Sequence, residues 1–429
     1  MTNKSTASFT SITNGLSPIY IIGILFFVFG FVTWLNGTLI PFLQLACELN
    51  TSQALQVTFA FYMAYFFLSI PSSYILKITG FKNGMSLGLF VMAIGAVIFI
   101  PAANMRTFPL FLIGLFVQGM GLSLLQTASN PYITIVGPIE SAAQRISIMG
   151  ICNKVAGALS PLILGALVLN GAQSIENKLK NITDAAEKES LLHDLAMRVV
   201  LPYAIIAVVL VLLALLIRYS SLPEIDTEKD HVGEDGVIVE PKVSIFQYRN
   251  LNLGALCLFL YVGVEVMAGD VIGTYGKSLG MSLDKTKIFT SYTLVSMVVG
   301  YIIGIIAIPK YIKQEKALMY AAIVGIMFTV VAYLTDGYIS VMFIALLGLA
   351  NSLMWPAIFP LAIKGLGKYT KFGSALLVMG IAGGAILPQF YALLAQSLST
   401  HSAFLYSMLP CYIYIFYYAI AGHKTNTAK

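Results

Sequence analysis

The stretch from Phe108 to Val136, FPLFLIGLFVQGMGLSLLQTASNPYITIV, decides the fold. It holds no charged residue, and as a helix rising about 1.5 Å per residue it would reach about 44 Å, more than the roughly 30 Å of hydrocarbon in a bilayer. Near its end, Gln126, Thr127, Ser129 and Asn130 stand before Pro131. Hydrocarbon offers an amide no partner, so polar residues at that depth face a protein interior or a wet cavity and commonly mark a substrate path.

The remainder of the chain repeats the pattern. Of 429 residues, 58% are hydrophobic and 10% charged, with a mean hydropathy of +0.85. That excludes an ordinary soluble globule and marks an integral membrane protein, with the lipid bilayer as its constant partner. Apolar runs of spanning length occur at about 19–45, 52–76, 84–103, 108–136, 146–170 and 199–219, then 249–276, 288–309, 317–335, 338–363, 373–398 and 402–421. The reading is an all-α membrane protein with twelve transmembrane helices in two six-helix bundles, 1–219 and 247–429. Between them lies a cytoplasmic linker, 220–246, rich in acids from Glu224 to Glu240.

Weak internal repetition supports the division into halves. Met149-Gly150-Ile151 with Gly157-Ala158-x-x-Pro161 recurs as Met379-Gly380-Ile381 with Gly384-Ala385-x-x-Pro388, and Gly121-Leu122 as Gly348-Leu349. Two bundles in parallel repeat resemble the arrangement of the major facilitator fold, which implies a site between the halves and alternating access. The connection Gly171–Met197 spaces Ile175, Leu179, Ile182, Leu191 and Leu195 among charges, as an amphipathic outer helix would.

Lys77, Lys82, Arg145, Arg218, Lys310, Lys313 and Lys364 fall in loops on the side where the chain starts, which predicts that both termini are cytoplasmic. The formal net charge of +6 is spread over these loops and calls for no nucleic acid. Cys47, Cys152, Cys257 and Cys411 lie in apolar segments without short spacing and read as packing residues. The polar tail before Pro18 runs into an apolar stretch longer than a signal-peptide core, so the first helix is expected to stay in the protein. Asn50-Thr51-Ser52 and Asn181-Ile182-Thr183 match glycosylation acceptors, a pattern frequent by chance.

Catalytic arrangements are missing from the sequence. His193, His231, His401 and His423 sit in expected loops or helix ends, and no phosphate-cradling glycine loop or metal-ligand spacing occurs. The chain therefore reads as neither an enzyme nor a nucleotide-driven pump, with no cofactor, and transport would run on a gradient. The polar candidates group by helix. In the first, Gly30, Thr33, Trp34, Asn36 and Gly37 precede Pro41; in the fourth, Gln126 and Asn130 are one turn apart; in the fifth, Asn153 adjoins Lys154. In the tenth, Asn351 and Trp355 are one turn apart, and Gln389 follows Pro388 in the eleventh. Amides match hydroxyls that both donate and accept, and an indole takes the apolar face of a sugar ring, so the substrate expected is a neutral hexose. An anion would call for converging basic residues. The plainer alternative is that these amides glue helices together and the prolines kink them.

Three charges fall in the core of the helices, away from their ends, each costing on the order of 3 kcal/mol at mid-bilayer: Lys154, Glu265 and Asp270. Glu265 lies near the midpoint of the seventh helix and is favoured for coupling, where it could exchange a proton or, ionised, help hold Na+; Asp270 lies about 7.5 Å further along. A fixed Lys154 to Glu265 ion pair weighs equally as a reading, and breaking it could itself be a switch.

The stretches FGFVTWLNGTLIPFL, LLQTASNPYITIVGPIESAAQRISI, FLYVGVE and PAIFPLAIKGLGKYTKFGSALLVMGIAGGAILP make the chain similar, over essentially its full length, to the fucose, galactose and glucose:cation symporter family of the major facilitator superfamily. The resemblance is closest to its bacterial glucose/galactose branch and implies inner-membrane uptake of a sugar with H+ or Na+. The fucose branch carries an aspartate where this chain has Gly37 and a glutamate where it has Gln126, acids tied there to proton coupling and sugar binding. This chain has neither. The family's fifth-helix asparagine is matched by Asn153. The expectation is a monomeric symporter with Trp34, Asn36, Gln126, Asn130, Asn153, Asn351, Trp355 and Gln389 on the sugar and Glu265, Lys154 and Asp270 on the cation. A non-translocating membrane sugar sensor and a small-molecule exporter of the same fold are the alternatives.

Overall fold

A computed structural model describes residues 18–135, 142–220, 222, 244–366 and 369–424. The polar N-terminal tail and nearly all of the acidic linker lie outside the described residues. Within them every regular element is helical. Among the described residues eleven stretches are long and apolar enough to cross a membrane: Tyr20–Ala46, Thr51–Asn104, Phe108–Ile133, Gln144–Val168, Ala185–Tyr219, Arg249–Gly269, Leu283–Ala307, Gln314–Leu334, Gly337–Ile363, Phe372–Leu394 and Thr400–Gly422.

The second stretch contains two crossings. Its main helix, Gln56–Asn104, has 49 residues and would measure about 74 Å if straight, more than twice the hydrocarbon thickness. It is interrupted at Gly80, with φ 75° and ψ 174°, a conformation open essentially only to glycine. Counting 51–79 and 81–104 separately gives twelve spans, numbered here in chain order, and restores the six-plus-six division read from the sequence.

Among the described residues four spans are broken within their length. The first divides at Trp34 and Leu35 into Pro18–Thr33 and Asn36–Ala46. The seventh ends as Arg249–Gly269 and resumes as Ile272–Ser278. The tenth divides into Gly337–Asn351 and Met354–Ile363. The eleventh tightens into a single 3-10 turn at Gly380–Ala382. Pro356 explains the tenth, because its ring clashes with the carbonyl four residues back, at Ser352, and offers that carbonyl no amide hydrogen. In the seventh, carbonyls freed by the break are taken up by hydroxyls of the eighth span: Thr290 Oγ1 donates to Gly269 O at 2.8 Å and Thr293 Oγ1 to Ala268 O at 2.7 Å. Broken helices survive at membrane depth only where neighbours satisfy their backbone.

The outer connection differs from the single amphipathic helix expected. It forms two helices, Ala172–Asn181 and Ala185–Met197, because Asp184 starts a new one by accepting from the Ala186 amide at 2.9 Å. Leu192 and Leu195 are buried beneath the second helix, and Lys188–Glu48 at 2.5 Å and Arg106–Glu189 at 2.8 Å tie it to the ends of the spans. Asn50, one of the two acceptor-like asparagines, caps a helix turn in a capping box with Gln53. The four cysteines are unpaired.

Gly80→Val should lower stability by about 1–3 kcal/mol, the range for a side chain forced into a glycine-only conformation. Thermal melting in detergent reads this, and an unchanged midpoint would show that the two crossings need no glycine at their junction.

Candidate substrate-binding cavity

Where the bundles meet, a cavity with about 680 Å³ of space free of protein atoms, part of it open to solvent, is lined from both. The N-terminal bundle contributes Phe26, Phe29, Thr33, Trp34, Tyr62, Tyr65, Gln126, Asn130, Asn153 and Lys154, and the C-terminal bundle Tyr261, Glu265, Tyr301, Trp355 and Ile381.

Trp34 is its hub. The break in the first span sets the indole across the fifth, where Nε1 donates to Asn153 Oδ1 at 3.3 Å. Asn153 Nδ2 in turn donates to the Phe26 carbonyl at 3.4 Å. The ring edges lie so close to Gly157 and Gly269 that a Cβ at either would collide with them. Glycine is needed at both for this close approach of side chain to backbone. On the ring face sits the Lys154 ammonium, 4.2 Å from the centroid, in cation–π geometry.

The same ammonium donates to Glu265 Oε1 at 2.9 Å, with side chains only 8% and 11% exposed. This pair joins the fifth span to the seventh and so joins the bundles. Each charge satisfies the other, and neither is left uncompensated in the interior. Around it the polar lining is neutral. Gln126 Nε2 donates to the Tyr65 hydroxyl at 3.0 Å, a bond that leaves its carbonyl oxygen unused. Trp355 stacks on Phe359, centroids 5.9 Å apart, and meets Tyr261 at 6.4 Å.

Of the eight residues expected on the substrate, Trp34, Gln126, Asn130, Asn153 and Trp355 line the cavity, and Asn36, Asn351 and Gln389 do not. The break at Ser352 and Leu353 separates Asn351 from Trp355, so helical spacing no longer places them on one face. Asn351 Oδ1 instead accepts from the Tyr412 hydroxyl at 2.8 Å. Gln389 Nε2 donates to the Leu55 carbonyl at 2.9 Å, a strut between bundles. Asn36, just past the break in the first span, is buried with neither side-chain polar atom hydrogen-bonded. Of the three charges, Lys154 and Glu265 line the cavity, whereas Asp270 lies behind Tyr62, whose hydroxyl donates to its Oδ2 at 3.0 Å.

Sequence reasoning missed the tyrosines. Tyr62, Tyr65, Tyr261 and Tyr301 all line the cavity, but tyrosine is at home in a membrane helix and the chain has 23 of them. Spacing carried the one usable signal, since Tyr261 is one turn before Glu265. Neutral amides, indoles, phenols and one internally compensated ion pair form a surface suited to an uncharged polyhydroxy ring.

Comparison with known proteins agrees with this architecture. The family model of the Major Facilitator Superfamily matches residues 22–388. The chain is 35% identical over 405 residues to a glucose/galactose transporter of Brucella abortus biovar 1 (strain 9-941), covering 94% of this chain and 93% of that one. It is 28% identical over 416 residues to the L-fucose-proton symporter of Escherichia coli (strain K12), with 96% and 94% covered. Among solved structures, a Major Facilitator Superfamily transporter, FucP, in the outward conformation matches with a TM-score of 0.75 and 28% identity, over 94% of this chain and 97% of that one.

The ion pair makes a prediction of its own. Lys154→Met and Glu265→Leu should each destabilise by about 3–5 kcal/mol, because each strands a buried charge, and the double variant should recover much of that loss. Thermal melting of the three variants forms the cycle, and additive losses would show that the charges do not interact.

Proposed function

The chain belongs to the Major Facilitator Superfamily, and on that premise we propose that it is a secondary active transporter importing a hexose of the glucose/galactose type by cation symport with alternating access. One observation carries the reading. Both tryptophans of the chain and three neutral amides, Gln126, Asn130 and Asn153, converge on a single cavity between the bundles. Indole faces take the apolar side of a pyranose, and amides pair with its hydroxyls through donor and acceptor together. The relatives named for glucose, galactose and fucose support the substrate class.

Trp34, Gln126, Asn130, Asn153 and Trp355 are the sugar-contacting residues of this proposal. The Lys154–Glu265 pair offers its remaining donors and acceptors to hydroxyls while holding the bundles in register. On one side of the cavity the bundles are closed by Trp34 against Gly269, Tyr62 against Asp270 and Gln389 against Leu55. Lining residues such as Phe26, Ile146 and Tyr301 continue toward the membrane face where the chain begins. The basic loops at that face make it the cytoplasmic one, so the cavity leans inward. The protein belongs in a bacterial inner membrane with both termini cytoplasmic. It acts as a monomer, since one chain supplies every wall of the cavity.

Because both tryptophans are in the site, intrinsic emission reports directly on occupancy. Glucose or galactose should perturb the emission of the purified protein, and Gln126→Ala should raise the hexose Kd about tenfold, the equivalent of one hydrogen bond of roughly 1.4 kcal/mol. Counterflow of radiolabelled hexose in liposomes separates transporter from sensor. Unperturbed emission together with no counterflow would sink the hexose reading, and binding without counterflow would make the protein a sensor.

A further inference from the structure

Asp270 has an environment unlike that of the other two charges at this depth. It is 1% exposed and stands in the two-residue gap between Arg249–Gly269 and Ile272–Ser278. Among the described residues no Lys, Arg or His lies within ion-pairing distance of it. The nearby ammonium of Lys154, from the fifth span, is committed to Glu265 at 2.9 Å. The hydroxyls of Thr290 and Thr293 are committed to backbone carbonyls. What faces the carboxyl is the Tyr62 hydroxyl from the second span, 3.0 Å from Oδ2, and the backbone amide of Gly37 from the first. Oδ1 makes no hydrogen bond of good geometry. The titratable and charged groups around it are thus Tyr62, Lys154 and Glu265.

Both close partners of Asp270 belong to the N-terminal bundle, whereas Asp270 belongs to the C-terminal one. The contact exists only while the bundles are closed on that side. Sealing a carboxylate away from water without a cation costs several kcal/mol, and sealing a neutral carboxylic acid does not. The Lys154–Glu265 pair has no such preference, because its charges cancel whether the site is open or closed.

Resting on the hexose symport proposed above, we propose that Asp270 carries the coupling proton. Asp270 takes up a proton from outer water when Tyr62 and Gly37 draw away, and the bundles then close over it as the neutral acid. The O–H bond of the carboxyl forms with a proton from outer water, and it breaks in the closed state as the Tyr62 hydroxyl, 3.0 Å from Oδ2, takes that proton and passes its own to water in the inward-leaning cavity that its ring lines, with no electron transferred. Tyr62 connects this acid to the sugar, since its ring lines the cavity and its hydroxyl holds a carboxyl oxygen. The order of preference between Glu265 and Asp270 drawn from sequence is thereby reversed.

The test uses the full chain in liposomes loaded with a pH-sensitive dye. In the wild type, galactose or glucose should drive proton entry, and an inward proton gradient should concentrate the sugar. Asp270→Asn should exchange hexose within about threefold of the wild-type rate while losing both proton entry and accumulation. Asp270→Glu, which keeps the acid, should retain both. The proposal is overturned if Asp270→Asn still accumulates hexose under a proton gradient, or if the wild type concentrates hexose under a Na+ gradient with no hexose-driven proton entry. It is also overturned if Asp270→Asn loses exchange along with accumulation while its tryptophan emission still responds to hexose. Should Asp270→Asn not fold, hexose-driven proton entry in the wild type and its retention in Asp270→Glu still decide the matter. A wild type that neither binds nor exchanges hexose is a different failure, that of the substrate reading, and the proton assignment falls with it.

Discussion

A lysine and a glutamate from opposite bundles, 2.9 Å apart and almost wholly buried, set the terms for the rest of the site. Neither charge is tolerable alone at that depth, so the fifth and seventh spans are held at a fixed separation wherever the pair is intact. The ammonium lies over the Trp34 ring, which fixes the indole; the indole binds Asn153; and Asn153 reaches back to the Phe26 carbonyl. One ion pair therefore orients two sugar-facing side chains. The ring also needs bare backbone on either edge, which Gly157 and Gly269 supply. The breaks in the first and seventh spans lie beside this assembly, where an unbroken helix would carry the indole past its partners.

Much of the fold is legible because hydrocarbon leaves so few options. Span positions follow from length and apolarity, and Gly337–Ile363 or Gln314–Leu334 fall within a few residues of where the runs place them. The division into halves survives even the fusion of two spans into one long helix, since Gly80 marks the join. Less legible is anything that depends on a helix staying regular. Asn351 and Trp355 share a face on a continuous helix, and the break at Ser352 and Leu353 turns them apart. Asn36 lies just past the break at Trp34 and Leu35, off the regular helix that carries Gly30 and Thr33. The outer connection reads as one amphipathic element until Asp184 caps a second helix. In each case a local cap, proline or turn overrides a periodicity that assumes 3.6 residues per turn throughout.

The cavity itself is half legible for a chemical reason. Amides and charges stand out against an apolar background, so Gln126, Asn130, Asn153, Lys154 and Glu265 are visible in the sequence. Tyrosines do not stand out. Their rings pass for membrane-compatible bulk, and whether the hydroxyl meets a carboxyl, as Tyr62 does, or an amide, as Tyr65 does, depends on which helix is its neighbour. Pairings between bundles are beyond any local pattern.

A cavity whose lining carries no net charge has a consequence for coupling. The sugar is neutral, Gln126 cannot titrate, and Lys154 with Glu265 cancels, so sugar binding alters the local field very little. Linkage between sugar and ion then cannot run through direct attraction. It has to run through closure, with each ligand favouring the same arrangement of the bundles and so favouring the other. An acid set just behind the cavity wall, capped by a phenol from the opposite bundle, is placed for that kind of linkage. Sugar contacts near Tyr62 favour the closed interface, and the closed interface favours the protonated acid. An acid inside the cavity at position 126 would bind sugar and proton at one point; separating them leaves recognition to neutral groups and the proton to the joint between the bundles.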